Sequence, residues 1–126
     1  MFSQIDSRST IPLYDQIATR LKVAIAAGDL ASGSGLPSVR QLAGQLRINP
    51  ATVVQAYREL EAEGFVEMRQ GAGTFVLELP QKRRDEERSQ QAMALAKRML
   101  AEAGRLRISP QELRDAIARI MDMGAA

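Results

Sequence analysis

Apolar residues recur at every fourth position through Leu13, Ile17, Leu21 and Ile25, with Ala18 and Val23 alongside. That spacing marks one face of a helix about four turns long. Gly28 stands where such a helix would close on a left-handed glycine. The following Ala31-Ser32-Gly33-Ser34-Gly35-Leu36-Pro37 has the composition of a loop. Ser38, three residues before Gln41, makes a capping-box pattern and predicts a short second helix with Val39, Leu42, Ala43 and Leu46 turned inward. Asn49-Pro50 is the clearest local signal: a preferred N-cap, then a proline at the first helical position, where the missing N–H costs nothing. The third helix runs to about Glu63 with Val53, Ala56, Tyr57 and Leu60 inward, and Gly64 stops it. Two β-prone runs, residues 65–69 and 74–77, flank Gln70-Gly71-Ala72-Gly73 and predict a hairpin.

Beyond Pro80 the pattern changes. Residues 82–88 mix basic and acidic side chains densely, as a solvated linker or a helix start does; phosphate contact by Lys82, Arg83 and Arg84 is the other reading. Ala92, Met93, Ala96, Met99, Leu100 and Ala103 then form a helical stripe that ends at Gly104. Ser109-Pro110-Gln111-Glu112 is a second capping box with proline at the first helical position, and it launches Leu113, Ala116, Ile117, Ile120 and Met121. Two amphipathic helices are too few to close a core alone. A symmetric partner supplying the same pair completes a bundle, and Met93, Ala96, Met99, Leu100, Leu113, Ile117, Ile120 and Met121 are the expected contacts. Packing back onto the first module is the alternative. The predicted architecture is mainly α with a small β-hairpin: a winged helix-turn-helix over residues 1–79, its second and third helices joined by Arg47-Ile48-Asn49, then a two-helix dimerisation hairpin over residues 80–126.

Composition narrows the chemistry. The 126 residues contain no Cys, His or Trp, which removes thiol nucleophiles, disulfides, zinc–cysteine sites and imidazole bases. A carboxylate enzyme built on Glu59 or Glu63 lacks an accompanying base or cofactor motif, so neither an enzyme nor a bound cofactor or metal is expected. No apolar run is longer than that of residues 23–27, far below the roughly 18–20 residues that span a bilayer. The N-terminal residues have no signal-peptide pattern. These features predict a cytoplasmic protein without membrane contact. Net charge is +2, too mild to announce a nucleic-acid partner. It divides as −1 over residues 1–80 and +3 over residues 81–126. If the first module binds DNA, it does so by placing its charges and not by bulk basicity.

The third helix shows how. With Val53, Ala56, Tyr57 and Leu60 facing the core, the opposite stripe is Ala51, Gln55, Arg58 and Ala62, and no acid lies on it. Glu59, Glu61 and Glu63 fall on the flanks. A helix entering the major groove needs small or hydrogen-bonding residues at its N-terminal end, and acids kept off the strip nearest phosphate. Ala51, Thr52 and Gln55 meet that need: glutamine can pair bidentately with adenine, and alanine or the threonine methyl can touch a thymine methyl. The helix N-terminus can itself receive a phosphate. An ordinary amphipathic helix whose outer face lacks acids is the competing reading.

Taken in order, Ile11-Pro12-Leu13-Tyr14-Asp15-Gln16-Ile17, Leu36-Pro37-Ser38-Val39-Arg40-Gln41-Leu42-Ala43, Asn49-Pro50-Ala51-Thr52-Val53, Ala56-Tyr57-Arg58-Glu59-Leu60-Glu61, Gly64-Phe65-Val66 and Arg69-Gln70-Gly71-Ala72-Gly73-Thr74-Phe75-Val76 resemble successive blocks of the GntR-type winged helix. The resemblance spans about residues 8–77. It implies a bacterial regulator binding double-stranded DNA as a homodimer on a pseudo-palindromic operator. It places DNA contacts at Ser38 and Arg40, at Asn49, Ala51, Thr52 and Gln55, and on the wing at Gln70, Gly71, Gly73 and the adjoining Thr74. Arg58 is a further candidate, on flanking phosphate or simply solvent-exposed. Many members of the family carry arginine where this chain has Pro50 and Val54. Their absence implies weak guanine readout, with apolar, water-mediated or shape recognition instead, or compensation by Arg47 or Arg58. The short helical tail resembles the YtrA subfamily, whose members often regulate adjacent ABC-transporter operons, and the resemblance implies a repressor. No ligand motif identifies a small-molecule effector. A protein-interaction module using the tail, with a vestigial winged helix, is the alternative function.

Overall fold

The computed structural model describes Phe2 and residues 5–125, the side chain of Ala125 excepted. Helix α1 spans Leu13–Ala27 and buries Ile17, Ala18, Leu21 and Ile25. Gly28 ends it at φ 85°, and the Asp29 N–H reaches back to the Ala24 carbonyl at 2.9 Å. A left-handed residue here is what lets the last carbonyls find donors. Val23 departs from the expected inward group: it is 40% exposed, because it projects from the side of α1 away from the stripe.

Helix α2, Val39–Leu46, carries the expected capping box: Ser38 Oγ accepts from the Gln41 N–H at 3.0 Å, and Gln41 Oε1 accepts from the Ser38 N–H at 3.0 Å. Leu42 and Ala43 are buried, with Val39 and Leu46 packed at the core's edge. The helix closes on Arg47 at φ 56°, a left-handed arginine where glycine is usual. Ile48 follows, its N–H donating to the Ala43 carbonyl while its side chain packs on the core. That hydrophobic anchor offsets the roughly 1–2 kcal/mol a side chain costs in this conformation. Helix α3, Pro50–Ala62, begins as read, with Asn49 Oδ1 accepting from the Ala51 N–H at 2.9 Å, and ends at Glu63 and the positive-φ Gly64.

Strand β1, Val66–Arg69, pairs antiparallel with β2, Gly73–Val76, placing Val66 opposite Val76 and Met68 opposite Thr74. Gly73 thus opens β2 and is not part of the turn. The segment expected as a plain loop does more than connect. Residues 33–36 lie along the free side of β2: the Leu36 N–H donates to the Thr74 carbonyl at 2.8 Å, the Val76 N–H to the Ser34 carbonyl at 2.9 Å, and Gly35 bridges Phe75. Pro37 favours this extended path in the residue before it.

The core gathers where α1, α3 and the strand bases meet: Ile17, Leu21, Leu42, Val53, Tyr57, Leu60, Phe65 and Val66 are fully buried. Tyr57 donates its hydroxyl to the Pro37 carbonyl at 2.7 Å, fixing the loop before α2 to α3. Burial pushes the Tyr57 phenol up to about 12 from its usual value of 10.0. The neutral phenol therefore adds stability that is complete below pH 10 and lost as pH rises towards about 12. Tyr57→Phe should cost about 1–2 kcal/mol at neutral pH, through the unpaired Pro37 carbonyl. It should also flatten the decline in melting temperature across that alkaline window, which thermal melts at several pH values would read.

Helix α4 runs Gln81–Arg105 and α5 Pro110–Ala125. The mixed-charge stretch is therefore helix, and α4 starts eleven residues before the apolar stripe. Two compact units divide at Arg88 and Ser89, so the first two turns of α4 belong with the winged helix. Arg83 and Arg84 are engaged there: Arg83 Nη2 donates to the Glu63 carbonyl at 2.8 Å and Arg84 Nε to the Leu79 carbonyl at 2.9 Å. In the second unit, the Ser109–Glu112 capping box starts α5 with hydrogen bonds of 3.0 and 3.1 Å. The Ser109 backbone N–H, then its hydroxyl, holds the exposed Glu112 carboxyl below its ordinary range. Its support for α5 is therefore present above that range and fades as pH falls through the lowered value.

Candidate nucleic-acid interface

Helical periodicity and two caps build the candidate reading surface. Val53, Ala56, Tyr57 and Leu60 are 0% exposed, which fixes the rotation of α3 about its axis. Ala51, Gln55, Arg58 and Ala62 are consequently exposed along the opposite side, with Thr52 and Val54 half-buried at its margins. The three acids are kept off this strip. Glu59 is half-buried with Oε2 turned inward, Glu61 Oε2 accepts from the Met68 N–H at 2.8 Å, and Glu63 pairs with Lys22. A surface meeting phosphate needs that arrangement, because an exposed carboxylate on the strip would repel the backbone.

The N-terminal end of α3 differs from expectation in one respect. The Ala51 N–H already donates to Asn49 Oδ1 and the Thr52 N–H to the Asn49 carbonyl at 3.0 Å. These two helix-end donors are thus engaged within the cap. Ser38 and Arg40, at the start of α2, are both exposed. The Ser38 oxygen is occupied as a cap acceptor, which leaves its hydroxyl hydrogen to donate.

The wing turn is closed by the Ala72 N–H donating to the Arg69 carbonyl at 3.0 Å, with Gly71 at φ 77°. Gln70 keeps a negative φ, so this is a type II turn, whose third position demands glycine. Gly73, at φ 123°, lies in a region that side chains avoid. Gln70, Gly71 and Gly73 are exposed and Thr74 is half-buried. Arg69 is a further cation beside the turn, outside the expected contact set. Its guanidinium stacks on the Phe75 ring at 4.7 Å and meets Glu67 at 3.4 Å. An arginine just before the turn and an aromatic two residues past Gly73 carry that signal in the sequence.

In the second unit, Met93, Leu100, Ile117, Ile120 and Met121 are exposed at 58, 48, 36, 68 and 67%. Ala96 is also exposed, and Met99 and Leu113 are half-buried. Ala96, Met99, Leu100, Leu113 and Ile117 line one groove between α4 and α5 of about 310 Å³, with Pro110 and Arg114 at its edge. Leu95, Leu106 and Met123, absent from the expected stripe, add to the exposed apolar surface. Among the described residues no helix is long and apolar enough to cross a membrane, and no acidic cluster could hold a metal ion.

The model of bacterial regulatory proteins of the gntR family matches residues 13–76. The HTH-type transcriptional repressor YtrA of Bacillus subtilis is 47% identical over 75 residues, which cover 60% of this chain and 58% of that protein. A solved YtrA from Sulfolobus acidocaldarius, described as a GntR-family transcription factor, is 36% identical with a TM-score of 0.59, over 76% of this chain and 99% of that one. The DNA-binding domain of AraR, solved in complex with operator ORR3, is 26% identical with a TM-score of 0.51, over 59% of this chain and 89% of that one. Matches to three curated relatives span 58–60% of their lengths. With the family match covering α1 to β2, the whole framework that carries the reading surface, the chain belongs to the gntR family of bacterial regulatory proteins.

Proposed function

We propose that this chain is a cytoplasmic, sequence-specific transcriptional regulator that binds operator DNA as a homodimer. The observation that carries the reading is the exposed, acid-free strip of α3, capped by Asn49, in the same compact unit as the exposed Arg40 and the glycine wing. Ala51, Thr52 and Gln55 read base edges in the major groove. Ser38, Arg40 and Arg58 meet phosphates, and the turn at Gln70 and Gly71 enters the minor groove. Asn49 acts chiefly by capping α3, with its side-chain amide left to donate. Neither Pro50 nor Val54 can donate to guanine from its side chain, so recognition leans on Gln55, on thymine methyl contacts and on DNA shape.

The exposed apolar face of α4 and α5 supports dimerisation. Two copies would set their recognition helices into major grooves about one turn, or 10 base pairs, apart. The likeness to the YtrA repressor of Bacillus subtilis supports repression as the outcome, and the resemblance of the short tail to the YtrA subfamily makes an adjacent ABC-transporter operon the target class.

Two substitutions separate positioning from reading. Arg40→Ala should weaken binding to every duplex by a similar factor and lower the salt slope by about 1, as loss of one phosphate contact does. Gln55→Ala should relax preference at a single operator position, by roughly the 1–3 kcal/mol of one base-edge contact. Fluorescence anisotropy against a panel of single-base operator variants reads both. A uniform loss from Gln55→Ala, with every preference intact, contradicts its role as a reader.

A further inference from the structure

Of the acids kept off the reading strip, Glu61 and Glu63 have partners, and together they join the C-terminal end of α3 to three other elements. Glu63 pairs through its carboxylate with Lys22 of α1, and its carbonyl accepts from Arg83 at the start of α4. Glu61 reaches the wing: its Oε2 accepts from the Met68 N–H at 2.8 Å. Met68 lies on β1, the outer strand of the hairpin, since residues 33–36 cover the other side of β2. An outward N–H on an edge strand ordinarily goes to water. Here a carboxylate takes it in a charge-assisted bond, the stronger kind.

The position of that bond gives it leverage. The hairpin leaves the core at Phe65 and Leu77, where the Leu77 N–H donates to the Phe65 carbonyl at 3.0 Å. Gly71 is six residues beyond Phe65, about 20 Å along an extended strand. A swing of about 10° at the base would carry the tip roughly 3 Å, which is more than a hydrogen bond tolerates. Met68 stands midway along this arm, and the side chain that restrains it comes from the recognition helix itself.

We propose that Glu61 is a positioning residue that sets the wing against α3, so that minor-groove and major-groove contacts engage DNA in one fixed geometry. The proposal rests on the reading of Gln70 and Gly71 as minor-groove contacts. Glu61 touches no DNA in this scheme; it acts through Met68.

The test uses the full chain on its operator, with hydroxyl-radical footprinting to read the minor groove and base-variant duplexes to read α3. Glu61→Ala should lose protection at the flanking minor groove and weaken binding roughly 5- to 20-fold, the reach of one charge-assisted hydrogen bond. Base preference at the α3 positions should stay unchanged. Glu61→Gln retains an acceptor oxygen and should keep the protection. Met68→Pro deletes the donor instead, at an outward edge position where proline is tolerated, and should reproduce Glu61→Ala. That second variant decides the matter if Glu61→Ala fails to fold. In a Gln70→Ala background, Glu61→Ala should add little further loss.

Unchanged protection in both Glu61→Ala and Met68→Pro would overturn the proposal, as would losses that multiply fully with Gln70→Ala. Absence of flanking protection in the unmodified protein also overturns it, and does so by removing the wing contact beneath it. Amide exchange tells these failures apart. The Met68 N–H should be protected in the free protein and in Glu61→Gln, and exposed in Glu61→Ala. Protection there without a footprint means that the wing reading failed while the tether exists.

Discussion

Replacing Leu100 and Ile117 together with glutamate should convert the protein to a monomer and weaken operator binding by about 100-fold or more. Both residues line the groove between α4 and α5, and both are exposed in the single chain, at 48 and 36%. A charge at either position therefore costs the isolated chain little. Buried at a symmetric interface, the same carboxylates would each lose their water without gaining a partner, and the two-fold axis would place four of them in one contact. The loss of DNA binding follows from geometry. One winged helix presents a single recognition helix of 13 residues, about 20 Å long. Tethering a second makes its engagement intramolecular, an advantage of about 10² to 10⁴. Light scattering should shift from twice the chain mass of 13.8 kDa to that mass, with helical circular dichroism retained. Persistent dimers would place the interface elsewhere.

Phe65→Ala should lower the stability of the winged helix by about 3–5 kcal/mol, a large share of what a domain of this size holds. The ring is 0% exposed and has two cations over it, Lys22 Nζ at 5.9 Å and the Arg83 guanidinium at 5.4 Å from its centroid. Its backbone joins α3 to the hairpin: the N–H donates to the Leu60 carbonyl at 2.9 Å, and the carbonyl accepts from Leu77. Truncation would open a cavity where α1, α3, β1 and the start of α4 converge, and rigid backbone on several sides limits its collapse. Met68→Ala, one strand turn away and 36% exposed, should change stability by no more than about 0.5 kcal/mol. Urea unfolding of the three proteins would compare them.

The parts legible in the sequence are those written in local chemistry. Ser38 with Gln41 and Ser109 with Glu112 satisfy helix-end donors from within four residues, and Asn49 does so ahead of Pro50, which has no N–H to satisfy, so their spacing alone locates α2, α3 and α5. The reading strip was legible for the same reason. Once Val53, Ala56, Tyr57 and Leu60 are assigned inward, the helical period leaves Ala51, Gln55 and Arg58 outside.

What the sequence concealed depends on contacts between distant segments. Residues 33–36 have a loop's composition and become a strand neighbour because β2 offers them an open edge. Arg47 reads as part of a connection, but nothing local to it signals the positive φ that lets Ile48 reach the core. The α4 start at Gln81 carries no apolar stripe, and Arg83 gives it a purpose through a carbonyl 20 residues earlier. Glu61 reads from sequence as a bland flanking acid; only the folded hairpin brings Met68 to it.

The central claim is that this surface recognises base sequence. The most direct measurement carries a random-duplex pool through rounds of binding to the full chain, then titrates the enriched duplex against a scrambled one over about 50–200 mM salt. The expected result is an inverted repeat with half-sites about one helical turn apart. It should be bound about 10³-fold or more tighter than the scrambled duplex, with affinity falling steeply as salt rises. A pool that enriches no motif, or equal binding of both duplexes at every salt concentration, would contradict it.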